Sequence, residues 1–166
     1  MPKGPSVEVV VSDRQRTRPV RSAAIRALAE SVAQRQGVGL ELGIHLVSPK
    51  EMARVNWQFL QHEGSTDVIT FDHGSRADHL HGELFISVHD AVLQAAEFGT
   101  EWRQELLRYV IHGILHLQGF DDLDPVSRKL MKRHEERLVR AESDRAVELE
   151  RVPKKVHARR KPRGAK

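Results

Sequence analysis

Two histidines four positions apart carry the clearest chemical signal in the sequence. His112 and His116 lie in the run His112-Gly113-Ile114-Leu115-His116. Residues four apart on an α-helix project from the same face, one turn apart. Two imidazoles in that arrangement can bind one zinc ion, each at about 2.1 Å. The run therefore predicts two ligands of a single metal ion on one turn of a helix.

The residues after His116 offer a third ligand. Gly119 can adopt the left-handed conformation that ends a helix and turns the chain back, and Asp121 and Asp122 follow it. The spacing favours Asp122 as the metal ligand, although the sequence alone leaves Asp121 open. Three protein ligands leave a coordination position for water, which is typical of catalytic rather than structural zinc sites.

A core histidine that bonds to the backbone is the ordinary alternative to a ligand. The chain has ten histidines in 166 residues, so one pair at this spacing is weak evidence by itself. However, both histidines lie in the most apolar helical segment, where an unpartnered imidazole costs desolvation energy. That environment and the carboxylates beyond Gly119 favour the metal site.

The composition excludes several other kinds of protein. The chain has no cysteine, which excludes disulfide scaffolds, cysteine zinc ribbons, thiol nucleophiles and iron–sulfur clusters. No apolar run approaches the roughly 18 residues of a membrane span, and the N-terminus lacks a secretory signal. We therefore expect a cytoplasmic protein with no membrane partner. A length of 166 residues with 39% hydrophobic residues predicts one domain, over residues 1–150.

The positive charge of the chain is concentrated at its C-terminus. Residues 151–166 contain eight of the 27 Lys and Arg residues and none of the 23 acidic ones, so the rest of the chain is mildly acidic. Such a segment, with two prolines and little apolar content, predicts a disordered basic tail. The tail can either bind phosphates through counterion release or serve only to increase solubility.

Hydrophobic periodicity predicts an α+β domain. Alternating or β-branched segments indicate strands near residues 7–11, 40–46, 67–71 and 83–88, with a bulge at Gly43. Helices are predicted to begin near Pro19, Ser48, Ser87, Thr100 and Asp124. The inner face of the second helix is predicted to carry Met52, Val55 and Phe59. The short loop between the last two strands favours an antiparallel pair. We expect a small mixed four-stranded sheet packed with about five helices, with the metal motif on a buried helix and the loop after it.

The run HGILHLQGFDD, residues 112–122, resembles the metal motif of the YbeY-type endoribonucleases, His-Gly-x-Leu-His-Leu-x-Gly-Tyr/Phe-Asp-His. Residues 56–59, 66–71 and 82–87 resemble three further signatures of that family in order and spacing. The resemblance implies a single-strand-specific, metal-dependent endoribonuclease that matures ribosomal RNA and contacts the small ribosomal subunit. It also implies one divalent ion, with Zn²⁺ as the first choice, and no small-molecule cofactor.

Two positions depart from the family pattern. Asp122 stands where the family has its third histidine, so the ion should acidify its bound water less. Two histidines and one carboxylate also form the ligand set of non-haem iron, which leaves the metal identity open. Leu60 stands where the family has an arginine suited to a scissile phosphate. Three other arginines are candidates to replace it: Arg54, Arg76 and Arg103.

The resemblance suggests roles for other polar residues. His112, His116 and Asp121 are the predicted catalytic residues, with Asp121 either a proton carrier or an acceptor that orients the site. Glu83 is a second candidate proton carrier, or an exposed strand residue. Asn56 can bond either substrate or backbone. Gly113 occupies the place of the general base in HExxH metalloproteases, which argues against peptide hydrolysis.

The remaining histidines are expected to be structural or exposed. His73, His79 and His81 are predicted to lie in a solvated loop, and His134 on the surface of the last helix, whose outer face is basic. Because aromatic residues make up only 5% of the chain, base-stacking platforms should be scarce. The alternative to the nuclease is a non-catalytic ribosome- or RNA-binding factor with a structural metal.

Overall fold

The computed structural model describes residues 3–62, 64 and 66–152. Within these residues it contains a four-stranded sheet and five α-helices, which confirms the predicted α+β fold. The strands are β1 (Val7–Asp13), β2 (Gly39–Val47), β3 (Val68–Asp72) and β4 (His79–Ser87). The helices are α1 (Ser22–Gln36), α2 (Pro49–Val55), α3 (Val88–Phe98), α4 (Trp102–Leu117) and α5 (Pro125–Glu142). A π-helical turn (Asn56–Leu60) extends α2, and a 3₁₀ segment (Ser143–Leu149) follows α5.

The sheet is mixed, with strand order β1-β2-β4-β3. The β1–β2 and β2–β4 pairs are parallel, and β3 and β4 form the predicted antiparallel pair. Pairing runs without interruption through Gly43, which lies opposite Val10 and Glu83, so the predicted bulge is wrong. Strand β4 also begins earlier than predicted and includes His79 and His81.

The two faces of the sheet have different surroundings. One face buries Leu42, Ile44, Leu84 and Ile86 in a core shared with α1 and α4. The opposite face is covered at one end by α2, through a small cluster that includes Met52. The helix with the histidine motif therefore packs on the apolar face, and the polar side chains of β2 and β4 lie on the other.

Side-chain caps fix the beginnings of three helices. Ser48, Ser87 and Asp124 each accept a hydrogen bond from a backbone N–H three residues later, at 2.9–3.1 Å, as the sequence predicts. Helix α1 begins at Ser22 rather than near Pro19. Val20, in the segment before the helix, instead forms an antiparallel β-bridge with Glu150, the residue after the 3₁₀ segment.

Two details of the predicted helices are wrong. Helix α4 starts after Glu101, and the Thr100 hydroxyl donates instead to the Glu105 carboxylate at 3.1 Å. Phe59, predicted on the inner face of the second helix, lies on the π-helical turn and is 58% exposed. Gly119 does follow the end of α4 with the expected positive φ of 96°.

No helix in the part of the chain that the structure covers is long and apolar enough to cross a bilayer. Most of the predicted basic tail, residues 153–166, lies outside the described residues.

Gly113 allows α4 to approach the sheet closely. A Cβ atom built on Gly113 would lie 2.6 Å from Cδ2 of Leu84, which is fully buried. We expect Gly113→Ala to lower the free energy of unfolding by about 1–3 kcal/mol, because the extra methyl overpacks this contact. Denaturant unfolding measures the loss. Gly4→Ala is the control, since a Cβ there meets nothing within 4 Å, and equal stability of the two variants would contradict the close contact.

Glu142 is a buried carboxylate that joins three elements. It is 2% exposed and accepts hydrogen bonds from Ser31 at 2.6 Å, Arg35 at 2.6 Å and Arg145 at 2.7 Å. Burial by itself would raise the pKa of Glu142, but these three donors outweigh it and hold the pKa below its ordinary value. The folded protein therefore favours the ionised carboxylate.

The stabilisation by Glu142 should disappear in acid. At neutral pH we expect Glu142→Gln to cost about 2 kcal/mol, because charge-assisted hydrogen bonds are lost. Below the ordinary carboxyl pKa of 4.5 the unfolded chain binds the proton first, so the difference shrinks as pH falls through the folded pKa. Denaturant unfolding across this range measures it, with the exposed Glu30→Gln as control. A difference that stays constant into acid would contradict the prediction.

Candidate metal centre

The two histidines of the motif face each other on α4. Their Nε2 atoms lie 3.0 Å apart, and the two rings are nearly perpendicular. Two ligand atoms of a tetrahedral zinc ion lie about 3.3 Å apart when each bond is about 2.0–2.1 Å. The spacing predicted from the sequence therefore places His112 and His116 at a separation that suits a shared ion.

Asp122 completes a cluster of three potential ligands. One ligand atom from each of His112, His116 and Asp122 lies within 4.8 Å of the other two. The loop reaches this position because the backbone N–H groups of Gly119 and Phe120 bond back to carbonyls of the last turn of α4. The structure thus brings together the three residues that the sequence singles out as ligands, whereas their binding of a metal stays a prediction.

Asp121 lies beside this cluster but points into the loop. Its carboxylate accepts a hydrogen bond from the backbone N–H of Leu123 at 3.1 Å. This hydrogen bond lies within the loop and tests neither role considered for Asp121 from the sequence. Its predicted part in catalysis is not tested by this geometry and stays a prediction.

The hydrogen bonds on the far side of each ring determine which nitrogen is available to a ligand. His116 Nδ1 lies 3.0 Å from the carbonyl oxygen of Phe120, and His112 Nδ1 lies 2.9 Å from Glu135 Oε1. Since a carbonyl and a carboxylate only accept, both Nδ1 atoms donate. In the neutral rings both Nε2 atoms then carry lone pairs. Two lone pairs 3.0 Å apart repel each other unless a proton or a cation lies between them, so this donor set fits a cation.

Glu135 is a site residue that sequence reasoning missed. Its carboxylate bonds to His112 through one oxygen and to Arg108 through the other, at 3.2 Å. Glu135 lies on α5 between Met131 and Leu138, which are buried against α4. An acidic residue at helical spacing within the apolar stripe of α5 was the available signal, because a carboxylate in that position requires a partner.

The two imidazoles have opposite pKa shifts. Burial disfavours the charged form of both rings, but at His112 the hydrogen bond and charge of Glu135 outweigh burial and raise its pKa, with smaller contributions from Asp67 and Asp122. At His116 burial and the neighbouring His112 lower the pKa. His116 is therefore a neutral imidazole at neutral pH, which is the form that binds metals.

A cavity of about 400 Å³ opens beside the cluster, lined by His112, Asp122 and residues of α3, α4 and α5. Its cationic lining residues are Arg108, Arg128 and Lys132. None of the three arginines considered from the sequence lines it. Arg54 is exposed on α2, Arg76 lies 3.8 Å from Asp78, and Arg103 pairs with Glu101 and Glu150.

Glu83 lies on the opposite side of the sheet from α4. Its two carboxylate oxygens bond to His45 Nε2 at 2.9 Å and His73 Nε2 at 2.8 Å. Hydrogen bonds from His73 and His45 lower the pKa of Glu83. Glu83 is thus a partnered residue remote from the histidine motif, which argues against the proton-carrier role. The predicted solvated loop is correct for His73, which is exposed between β3 and β4, but wrong for His79 and His81, which lie in β4.

Two other candidates have structural partners. The Asn56 side chain is 5% exposed and donates to the Gly64 carbonyl at 2.9 Å, which is the backbone bond considered from the sequence. His134, expected on the surface, is half-buried with its ring 4.6 Å from that of Phe120. Leu60, in place of the family arginine, is 45% exposed on the π-helical turn.

Comparisons with known proteins show which family the chain resembles. A sequence model of the family "Endoribonuclease YbeY" matches residues 10–142. The endoribonuclease YbeY of Parabacteroides distasonis is 38% identical over 116 residues, which cover 70% of this chain and 79% of that protein. The protein of the same name from Bacteroides thetaiotaomicron is 40% identical over 111 residues, covering 67% and 78%.

A solved structure shows the same fold. The solution structure of a Thermotoga maritima protein superposes with a TM-score of 0.62 at 25% identity, covering 90% of this chain and all of the other. The family match covers the five helices and the sheet except for the first three residues of β1, and it includes the histidine motif and Glu135. The chain therefore belongs to the endoribonuclease YbeY family.

Proposed function

We propose that the protein is a metal-dependent endoribonuclease that cleaves single-stranded RNA during maturation of ribosomal RNA, in the cytoplasm and in contact with the small ribosomal subunit. Membership of the endoribonuclease YbeY family supports the reaction class. The observation that carries the proposal is the pair of Nε2 atoms 3.0 Å apart, with a ligand atom of Asp122 within 4.8 Å of the histidine ligand atoms.

The proposed ligands are His112, His116 and Asp122, and Zn²⁺ is the first candidate because its usual ligands include imidazole and carboxylate. When bound, a divalent ion supplies Lewis-acid chemistry that polarises a phosphate oxygen and activates water. Glu135 keeps the His112 ring in the tautomer that presents Nε2, and the Phe120 carbonyl does the same for His116. Such partners typically change metal affinity 10- to 100-fold when they are removed.

The cavity offers cations that can hold the scissile phosphate in place of the missing arginine. Arg128 and Lys132 are one turn apart on α5 and both line the cavity with His112. Neither lies within salt-bridge distance of a carboxylate among the described residues, whereas Arg108 is paired with Glu135 and Glu136. Arg128 and Lys132 are therefore the proposed phosphate contacts, and Asp121 is the proposed proton carrier.

A non-catalytic RNA-binding factor with a structural metal is the second candidate. It is favoured by the two departures from the family pattern, Leu60 and Asp122. A carboxylate ligand lowers the charge of the site, and an exposed leucine cannot contact a phosphate as a guanidinium does.

Cleavage of a ribosomal RNA precursor by wild type and His116→Ala, compared at equal RNA occupancy, tests the proposal. We expect the variant to lose cleavage at least 100-fold, because one of three ligands is missing. Elemental analysis of the same preparations should show stoichiometric metal in wild type and in Asp121→Asn, but not in His112→Ala or Asp122→Ala. Equal cleavage by wild type and His116→Ala would instead favour the binding factor.

Removal of one proposed phosphate contact should weaken RNA binding in a salt-dependent manner. We expect Lys132→Ala to raise KM for RNA and to reduce the slope of log affinity against log salt by about 0.7, the value for one phosphate of a single strand. Lys129→Ala is the matched control, since Lys129 is an exposed lysine on the same helix that does not line the cavity. If the two variants have the same slope, Lys132 does not contact the substrate.

A further inference from the structure

The π-helical turn after α2 exposes large apolar side chains. Trp57 is 59% exposed, Phe59 58% and Leu60 45%, all within the five residues of the turn. Exposed apolar side chains scattered singly are ordinary, but several on one turn mark a surface that contacts a partner. We call Trp57, Phe59, Phe71 and Phe85 the aromatic shelf.

A chain of ring contacts supports the shelf from below. The Phe59 ring lies edge-on to Phe71, with centroids 5.3 Å apart, and Phe71 lies edge-on to Phe85 at 5.6 Å. Phe85 in turn stacks on His45 at 4.6 Å. Such contacts favour fixed ring orientations. The shelf therefore presents Phe59 in a defined position instead of as a freely rotating side chain.

The backbone of the turn is held by its own contacts. Met52 and Val55 are buried on α2 and anchor the start of the turn. The buried Asn56 side chain bonds to the carbonyl of Gly64, and Gln61 closes the turn with a positive φ of 54°. In an α-helical turn, which is tighter, Trp57 and Phe59 would take different positions relative to these anchoring contacts. The exposure of the two side chains therefore depends on the π-helical geometry.

The shelf holds a large share of the aromatic residues of the chain. The sequence contains five Phe, two Trp and one Tyr, and half of them belong to the shelf. The low overall aromatic content suggested that stacking platforms would be scarce, but the few aromatic residues are concentrated in one place. Lys50 and Arg54 are also exposed. Arg54 lies three residues before Trp57 and Lys50 four residues before Arg54, which puts them along the same side of the helix.

A surface groove extends from the candidate metal centre to Thr66, which lies two residues after Gly64, the hydrogen-bond partner of Asn56 in the π-helical turn. Thr66, Asp67 and Gln94 line a groove of about 360 Å³ between the start of β3 and α3, and Gln94 also lines the cavity of His112. The groove includes the carboxylates of Asp67 and Glu97, which repel phosphates. An RNA strand bound along this groove would therefore have to gain affinity through contacts to its bases more than through contacts to its phosphates.

We propose that Trp57 and Phe59 stack against unpaired bases of the RNA strand whose backbone reaches the His112 cavity. The inference rests on the proposed endoribonuclease function and adds the residues that recognise the single strand. Aromatic side chains bind the flat faces of bases without sequence preference. Those faces are hidden in a duplex, so a stacking shelf selects single strands.

Fluorescence of Trp57 reports the proposed contact directly. Trp102 is the other tryptophan of the chain, so the Trp102→Phe background leaves emission from Trp57 alone. In that background with His116→Ala, to prevent cleavage, we expect a short oligouridylate to quench Trp57 emission at saturation. An oligonucleotide of the same length with abasic positions should bind about tenfold more weakly and quench little, because the stacking partner is missing.

Substitutions in the full chain separate stacking from other roles. We expect Trp57→Ala to weaken oligouridylate binding about tenfold and Trp57→Phe to restore most of it, since phenylalanine keeps a stacking face. Phe59→Ala should have a similar effect. Val147→Ala is the control, because Val147 is 62% exposed on the 3₁₀ segment. Circular dichroism of each variant verifies that the fold is retained.

The outcomes also separate this inference from the nuclease proposal. If oligouridylate quenches Trp57 emission but wild type does not cleave RNA, the stacking inference stands and the nuclease proposal is overturned. The opposite result is that wild type cleaves RNA but binds the uridylate and abasic strands equally, or that Trp57→Ala has unchanged affinity. Either result would overturn the stacking inference and leave the nuclease proposal standing. If the aromatic shelf instead contacts a protein, RNA will not quench Trp57 emission, and this result also overturns the inference.

Discussion

The close approach of two imidazole lone pairs is the interaction on which the rest of the site depends. His112 and His116 direct Nε2 atoms at each other across 3.0 Å, an arrangement that is unfavourable unless a cation or proton lies between them. The protein enforces it from both sides, since Glu135 bonds to one ring and the Phe120 carbonyl to the other. Helix α4 cannot relax this contact easily, because Ile111, Ile114 and Leu115, which flank the histidines, are fully buried in the core.

This arrangement explains why elements far apart in the chain have to be present together. Helix α4 supplies the histidines, the loop after Gly119 supplies Asp122, and α5 supplies the carboxylate that orients His112. Glu142, at the end of α5, links that helix to α1 through Ser31 and Arg35. The hydrogen bonds of Glu142 thus help to fix the helix on which Glu135 lies. Helix α5 therefore contributes both to the stability of the fold and to the geometry of the site.

Much of this could be predicted from the sequence, where the determining contacts are local. The caps at Ser48 and Ser87, the glycine bend after α4 and the histidine pair follow from spacing along a few residues. Glu135 could not be assigned in the same way, because its partner lies 23 positions earlier and depends on how α5 packs on α4. The π-helical turn was missed because one inserted residue shifts the helical periodicity, which had predicted that Phe59 is buried.

The absence of a side chain at Gly113 has a consequence for substrate range. In a peptidase with the same histidine spacing, this position carries the acid that activates water. Here the position faces the sheet, where an added methyl group would already meet Leu84 at 2.6 Å. A glutamate would have to displace a fully buried leucine before it could take part in any chemistry. The close packing between α4 and the sheet is therefore incompatible with a glutamate at this position, and so with peptide-bond hydrolysis that uses that acid.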